Sequence, residues 1–261
     1  MPTAADKAVL RDDFQALGDP PPERQTGHVD LRIIQGCSEA YPAVDINIVI
    51  DVIRAFTVSH VAFLRGAREI FLVNTIEEAF ALRAQNPGYL LAGEIEGLPI
   101  TGFDLDNSPH TFSQADIANK SLVQKTTNGV KATLLALNAK TVLVTGFSNA
   151  RTTARYALEV AGGIPQCKAN IVASHPHDDD DLACAHYIRD QMLAQGGVDP
   201  ASVQSRIRTS RPAAKFFDPN QPAFKEQDMA FCTQEVDCSF VMQVDKSLAL
   251  PRIVKREISR H

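Results

Sequence analysis

No stretch of this chain is long and apolar enough to span a bilayer, and its opening, MPTAADKAVLRDDFQALGDPPPERQ, alternates charges without the apolar core of a signal peptide. These absences predict a cytoplasmic protein. Paired cysteines are missing too. Cys37, Cys167, Cys184, Cys232 and Cys238 lie far apart, without metal-site spacing, and their odd number fits free thiols in a reducing compartment better than a disulfide framework. Each is expected to be a buried small hydrophobe. Positive charge is not in surplus: 26 Lys and Arg stand against 31 Asp and Glu, so a broad nucleic-acid surface is excluded and any anion site has to be local. Internal repeats and low-complexity segments are also lacking.

What is present is 261 residues, 44% hydrophobic and 22% charged, enough to bury a substantial core in a soluble globular protein. Apolar runs rich in β-branched residues, at 46–50, 70–73, 90–92, 122–123, 142–144 and 171–173, alternate with segments of helical spacing. That alternation predicts a layered α/β/α fold around a largely parallel or mixed sheet. Thr75 and Glu78 form a capping box for a helix with Ile76, Ala79 and Phe80 on one face; Asn86-Pro87-Gly88 stops it, and Gly66 closes the helix before it. Further helices are expected at about 130–138, 149–161 and 179–195. Between 196 and 228 the composition shifts toward Pro, Gln, Arg and Ser, which predicts an irregular C-terminal portion before two short strands at 240–244 and 252–254. The expected division is an N-terminal extension over 1–27 and one α/β domain over 28–261, with a possible subdivision near 196–228.

Ligands of an α/β sheet sit beyond the carboxyl ends of the strands, and those junctions are polar here. NIVIDVIRAFT ends a strand on Asp51, with Arg54 and Thr57 close behind. An Asp there can ligate a hard cation, attack phosphorus or cap the next helix, and Arg54 can grip an anion with paired hydrogen bonds or lie on the surface. LLAGEIEGLPITGFDLDNSP places Glu94 at a strand end, then Asp104, Asp106, Asn107 and Ser108 on a Gly-punctuated loop. These oxygens suit Mg2+, or a plain turn without a ligand. KTTNGVKA sets Thr126, Thr127, Asn128 and Gly129 at a helix start, where free N–H groups and the helix dipole favour phosphate. It is not a Walker loop, and a cap accounts for one of these residues rather than the cluster. TGFSNARTTA repeats the theme with Gly146, Ser148 and Asn149, while HPHDDDD over 175–181 reads as either a metal site or a solvated charge run.

In order and spacing, DVIRAFT (51–57), GE (93–94) with GFDLDNSP (102–109), TTNGVKA (126–132), GFSNA (146–150) and DDLACA (180–185) resemble the 2-phosphosulfolactate phosphatases, Mg2+-dependent phosphohydrolases of coenzyme M biosynthesis. The resemblance covers most of the chain from about Asn47. It implies hydrolysis of the phosphate ester of a small 2-hydroxy acid, 2-phosphosulfolactate giving sulfolactate and phosphate, with Mg2+ as cofactor. It further implies Asp51, Glu94, Asp180 and Asp181 as metal ligands or water-orienting groups, with Asp51 alternatively the nucleophile, so that Asp51, Arg54 and Glu94 are catalytic. Arg54, Thr126, Thr127, Asn128 and Gly129 would hold the phosphoryl group, and Ser108 and Asn149 would position substrate. The implied partner is a small phosphorylated hydroxy acid, with no nucleic acid and no membrane; a homodimer is the assembly considered.

Three features depart from that family pattern. Ile95 stands where an Arg usually follows Gly-Glu, Asp106 stands where a Gly usually precedes Asn-Ser-Pro, and His175 and His177 replace a small, glycine-rich segment. Losing a guanidinium removes one grip on a sulfonate or carboxylate, which bears on the substrate more than on the phosphoryl chemistry. Asp178 and Asp179 have no counterpart and, with the two histidines, are expected to be solvated. A second reading is a non-catalytic anion- or phospho-metabolite-binding protein derived from this family. Clustered carboxylates argue against it, because an anion binder gains nothing from them without a cation. A phosphatase of the haloacid dehalogenase type lacks its second Asp, since position 53 is Ile.

Overall fold

The computed structural model describes residues 29–37 and 39–258; the expected extension over 1–27 lies outside the described residues. The strands are β1 (Asp30–Gln35), β2 (Ile46–Ile50), β3 (Glu69–Leu72), β4 (Leu90–Ile95), β5 (Leu98–Pro99), β6 (Ser121–Lys125), β7 (Thr141–Thr145), β8 (Lys168–Ala173), β9 (Phe240–Asp245) and β10 (Arg252–Glu257). They form one mixed sheet in the order β1-β8-β2-β7-β9-β10-β3-β6-β4-β5. Four strands, β1, β8, β2 and β7, run parallel, as do β3, β6 and β4. The antiparallel hairpin of β9 and β10 joins these two blocks through antiparallel contacts with β7 and β3.

Side-chain alternation explains why helices cover both faces. Along β2, Val49 enters one apolar cluster while Ile46, Ile48 and Ile50 enter another. β7 divides likewise, with Val142 and Val144 in the first and Leu143 in the second, as a period of two requires. α1 (Ala55–Leu64), AFTVSHVAFL, is buried from Ala55 to Phe63 and belongs to the first cluster, as expected of a helix apolar on all sides. α5 (Ala150–Gly162) and α6 (Asp179–Leu193) cover the other face. α2 (Ile76–Gln85) starts at the expected capping box, with the Thr75 hydroxyl accepting from the Glu78 amide and Glu78 accepting from the Thr75 amide.

Two elements differ from the sequence reading. β1, DLRIIQ, is an edge strand with alternating exposure and too few apolar residues to register as a run. The stretch 196–228, expected to be irregular, contains α7 (Pro200–Thr209), α8 (Arg211–Ala214) and the start of α9 (Gln227–Thr233). Asp199 caps α7 through the Ala201 amide, Pro200 sits in the first turn, and Val203 and Ile207, four apart, join the apolar cluster under α6. Proline at that position favours a helix, so the shift in composition hid a helix start. α3 (Pro109–Gln114) and α4 (Gly129–Leu135) complete the set. Among the described residues no helix is long and apolar enough to cross a membrane. All five cysteines are free and buried, as their spacing predicts.

Three successive antiparallel pairings reverse the second block relative to the first, yet the residues just after β2 and just after β6 meet. The approach is close: a Cβ on Gly129, after β6, would lie 2.6 Å from Oδ2 of Asp51, after β2.

Candidate active site

Asp51 leaves β2 directly into the turn before α1, and its Oδ1 accepts from the Ala55 amide at 2.9 Å. Asp181, in the first turn of α6, accepts from the Val52 amide at 2.7 Å, the Ser174 hydroxyl at 2.9 Å and the His175 amide at 3.1 Å. It therefore ties the turn after β2 to the loop after β8. Asp180 is buried beside it, and its Oδ1 has no hydrogen-bond partner among the described residues. Burial, then the charge of Asp181, pushes Asp51 up to about 8. Burial followed by Asp51 raises Asp180 to about 7, and burial followed by Asp180 raises Asp181 to about 8. Three buried carboxylates in mutual repulsion require protons or a cation near neutral pH.

Glu94 ends the second block's β4 and accepts from the Gly97 amide, the Thr127 amide and, at 3.0 Å, the Thr127 hydroxyl. It thereby holds the β4–β5 turn against the start of α4. Backbone contact there is close: a Cβ on Gly93, at φ +151°, would meet the Lys125 carbonyl at 1.9 Å. Arg54 is also buried. It donates from Nη1 to Asp228 Oδ2 at 2.8 Å and from Nη2 to the Gly97 carbonyl at 2.9 Å, with the rings of Phe216 and Phe224 at 5.0 and 5.5 Å. Asp228 accepts in addition from the Ser108 hydroxyl at 2.6 Å and the His110 amide at 3.1 Å.

A cavity of about 570 Å³ opens between these groups, with Asp51, Arg54, Glu94, Asn107, Thr127 and Asn128 in its walls. Its lining also includes His175, Asp178, Arg211, Lys215, Phe216 and Phe224. Asp51, Arg54, Glu94, Thr127 and Asn128 thus meet on one cavity. The other expected residues stand behind it. Thr126 accepts from the Val130 amide at the start of α4, and Gly129 makes room for Asp51. Ser108 caps α3 through the Thr111 amide, and Asn149 is held by Thr145, Gly146 and Thr153 at the β7–α5 junction. Asp180 and Asp181 reach the site through their effect on Asp51. Among the described residues, no group of three or more His, Cys, Asp or Glu side chains is arranged to hold a metal ion. The chemistry of the donor set nevertheless fits one: Asp180 keeps an unpartnered buried oxygen, and each carboxylate raises its neighbour.

The acidic run divides differently from expectation. Asp178 is not solvated: its side chain is 4% exposed, accepts from Arg211 Nε at 2.8 Å and faces His175 Nδ1 at 3.0 Å. A turn between strand and helix folds it inward, which a run of like charges does not reveal. Asp179 is the solvated member, 47% exposed and paired with Arg206. Ile95 is exposed, and Asp106 pairs with Lys225 at 2.9 Å. Sequence reasoning missed Asp228, Arg211 and Lys215, all in or at the end of the stretch read as irregular, where no local motif marks them.

Fold and cavity together define an α/β protein with a polar cavity at the ends of its strands, lined by carboxylates and an oriented arginine. The 2-phosphosulpholactate phosphatase family profile matches residues 34–255, and the chain belongs to that family. A Bacillus subtilis protein named probable 2-phosphosulfolactate phosphatase is 51% identical over 223 residues, which is 85% of this chain and 97% of that protein. A Thermus thermophilus protein of the same name is 33% identical over 229 residues, 84% of this chain and 91% of the relative. One from Deinococcus radiodurans is 44% identical over 122 residues, 46% of this chain and 50% of the relative.

Proposed function

We propose that this protein is a Mg2+-dependent phosphatase that hydrolyses 2-phosphosulfolactate to sulfolactate and phosphate. The observation that carries this reading is the meeting of Asp51, Arg54 and Glu94 on one cavity in a chain of this family. Asp51, Asp180 and Asp181, with Glu94 across the cavity, are the residues that would hold the ion; a divalent cation would replace the protons that burial and mutual repulsion otherwise demand. When bound, Mg2+ would supply charge neutralisation at the phosphoryl oxygens and a more acidic attacking water. Arg54 has donors left beyond those given to Asp228 and Gly97, and these can engage phosphoryl oxygens. Thr127 and Asn128 line the same cavity. Asp51, at the end of β2, either attacks phosphorus or orients the water that does. In the first route the ester P–O bond breaks as the bond from Asp51 to phosphorus forms, and water then cleaves the aspartyl phosphate; in the second, water itself bonds to phosphorus as the ester P–O bond breaks. In both, one water is consumed, its oxygen ends on phosphate and a proton is taken up by the sulfolactate oxygen. Five buried free thiols support a cytoplasmic location.

Phosphate release from 2-phosphosulfolactate, measured with Mg2+ and with excess chelator, tests the reading. Turnover is expected with the ion and a loss on the order of a hundredfold or more without it. Full activity in chelator would remove the metal, and no release in either condition would return the chain to the anion-binding class.

A further inference from the structure

The same cavity carries positive charge that phosphoryl transfer does not use. Arg54 is matched by Asp228 at 2.8 Å, but the cavity lining adds Arg211 and Lys215. Arg211 gives only Nε to Asp178, at 2.8 Å, and its terminal nitrogens make no hydrogen bond or ion pair among the described residues. Asp178 is nearly fully buried and is also met by His175 Nδ1 at 3.0 Å, so it acts as a fixed anchor for the guanidinium. Lys215 has no carboxylate within ion-pair distance among the described residues. Its ammonium lies 5.3 Å from the centroid of Phe224, the ring that also faces the Arg54 guanidinium at 5.5 Å. One aromatic side chain is therefore approached by two cations, and an anion in the cavity would neutralise the one that Asp228 does not.

A small molecule with anionic groups at both ends matches this pattern. We propose that Arg211 and Lys215 form a second anion subsite, which binds the carboxylate or sulfonate of a phosphorylated 2-hydroxy acid, and that Asp178 is a positioning residue for Arg211. The planar fork of Arg211, tied at Nε, presents its outer edge to two oxygens of either group, while Lys215 adds a point charge. The inference rests on the phosphatase reading for the phosphoryl end alone.

Binding and turnover test it separately in the full chain. Sulfolactate, which carries the carboxylate and sulfonate but no phosphoryl group, is titrated calorimetrically into wild type, Arg211→Gln and Lys215→Gln, with inorganic phosphate as the comparison ligand. Each variant is expected to weaken sulfolactate binding by roughly tenfold or more, the worth of a charge-assisted hydrogen bond, and phosphate binding by less. With 2-phosphosulfolactate as substrate, both variants and Asp178→Asn raise KM more than they lower kcat. Arg211→Gln takes the cation from the buried Asp178 and is expected to lower Tm, whereas Lys215→Gln breaks no ion pair among the described residues and is expected to unfold at the wild-type temperature, so its binding loss reads the subsite free of folding effects. Equal sulfolactate affinity in wild type and variants, equal losses for the two ligands, or no binding of sulfolactate by wild type would overturn the subsite. Wild type that binds sulfolactate through these residues yet releases no phosphate would retire the phosphatase reading and leave the subsite standing.

Discussion

Arg54 gives one nitrogen to Asp228 and another to the Gly97 carbonyl, so its guanidinium reaches the cavity already oriented. A lysine there supplies a point charge and cannot keep both contacts while also gripping a phosphoryl group. Arg54→Lys is expected to cost kcat/KM for 2-phosphosulfolactate on the order of a hundredfold; near-wild-type rates would make Arg54 a scaffold for Asp228 rather than a substrate contact. At this scale the sequence was legible where the cavity meets the end of an apolar run. Asp51 follows β2 directly, Glu94 is the next-to-last residue of β4, Thr127 and Asn128 come just after β6, and all four line the cavity. Asp228 was not legible, because what makes it matter is Arg54, 174 positions earlier. Asp178 was misread for a related reason: burial depends on a pairing with Arg211, 33 positions later, and a charge run carries no sign of that.

Helix α4 docks its first residue against Asp51, and glycine is what permits the approach. A Cβ at Gly129 would stand 2.6 Å from Asp51 Oδ2 and 3.0 Å from the Ala55 Cβ. Alanine's helical preference is worth about 1 kcal/mol at most in a helix interior, less than the roughly 1–3 kcal/mol of overpacking. Gly129→Ala is therefore expected to lower Tm and to reduce turnover more than tenfold, since relief comes by moving a carboxylate of the site. Gly88→Ala, whose Cβ would meet nothing within 4 Å, is the control and should change neither. Elements with strong local chemistry were legible, the Thr75 capping box and the buried strand β2 above all. β1 escaped because half of an edge strand faces solvent, and α7 because its proline reads as a breaker when it is a first-turn residue.

Across the whole molecule, the buried carboxylates make stability depend on pH in a direction opposite to the usual carboxylate. Asp51 and Asp181, raised to about 8, and Asp180, raised to about 7, bind protons more tightly in the native state than in the unfolded chain. Without a divalent ion their contribution is lost as pH rises toward 8. Burial lowers His60 to about 4, which works the other way, but only below its ordinary value of 6.5. Between about pH 6.5 and 8 the carboxylates act against no such opposition from His60, each worth at most about 1.4 kcal/mol per pH unit. Thermal unfolding in chelator should therefore show Tm falling from pH 6.5 to 8, and saturating Mg2+ should flatten that slope. A Tm that rises over the same interval in chelator would contradict the buried, coupled arrangement.

The hairpin of β9 and β10 also sets an order of events during synthesis. Its strands occupy the middle of the sheet yet come last along the chain, after every other strand has been made. While the ribosome is still adding residues before 240, the β2–β7 block and the β3–β6–β4 block have no strand between them, and β7 and β3 present open edges to each other and to neighbouring chains. Asp51 and Glu94 come from opposite blocks, so their shared cavity can close only once the final two strands have emerged. A nascent chain therefore completes its sheet and its active site in one late step.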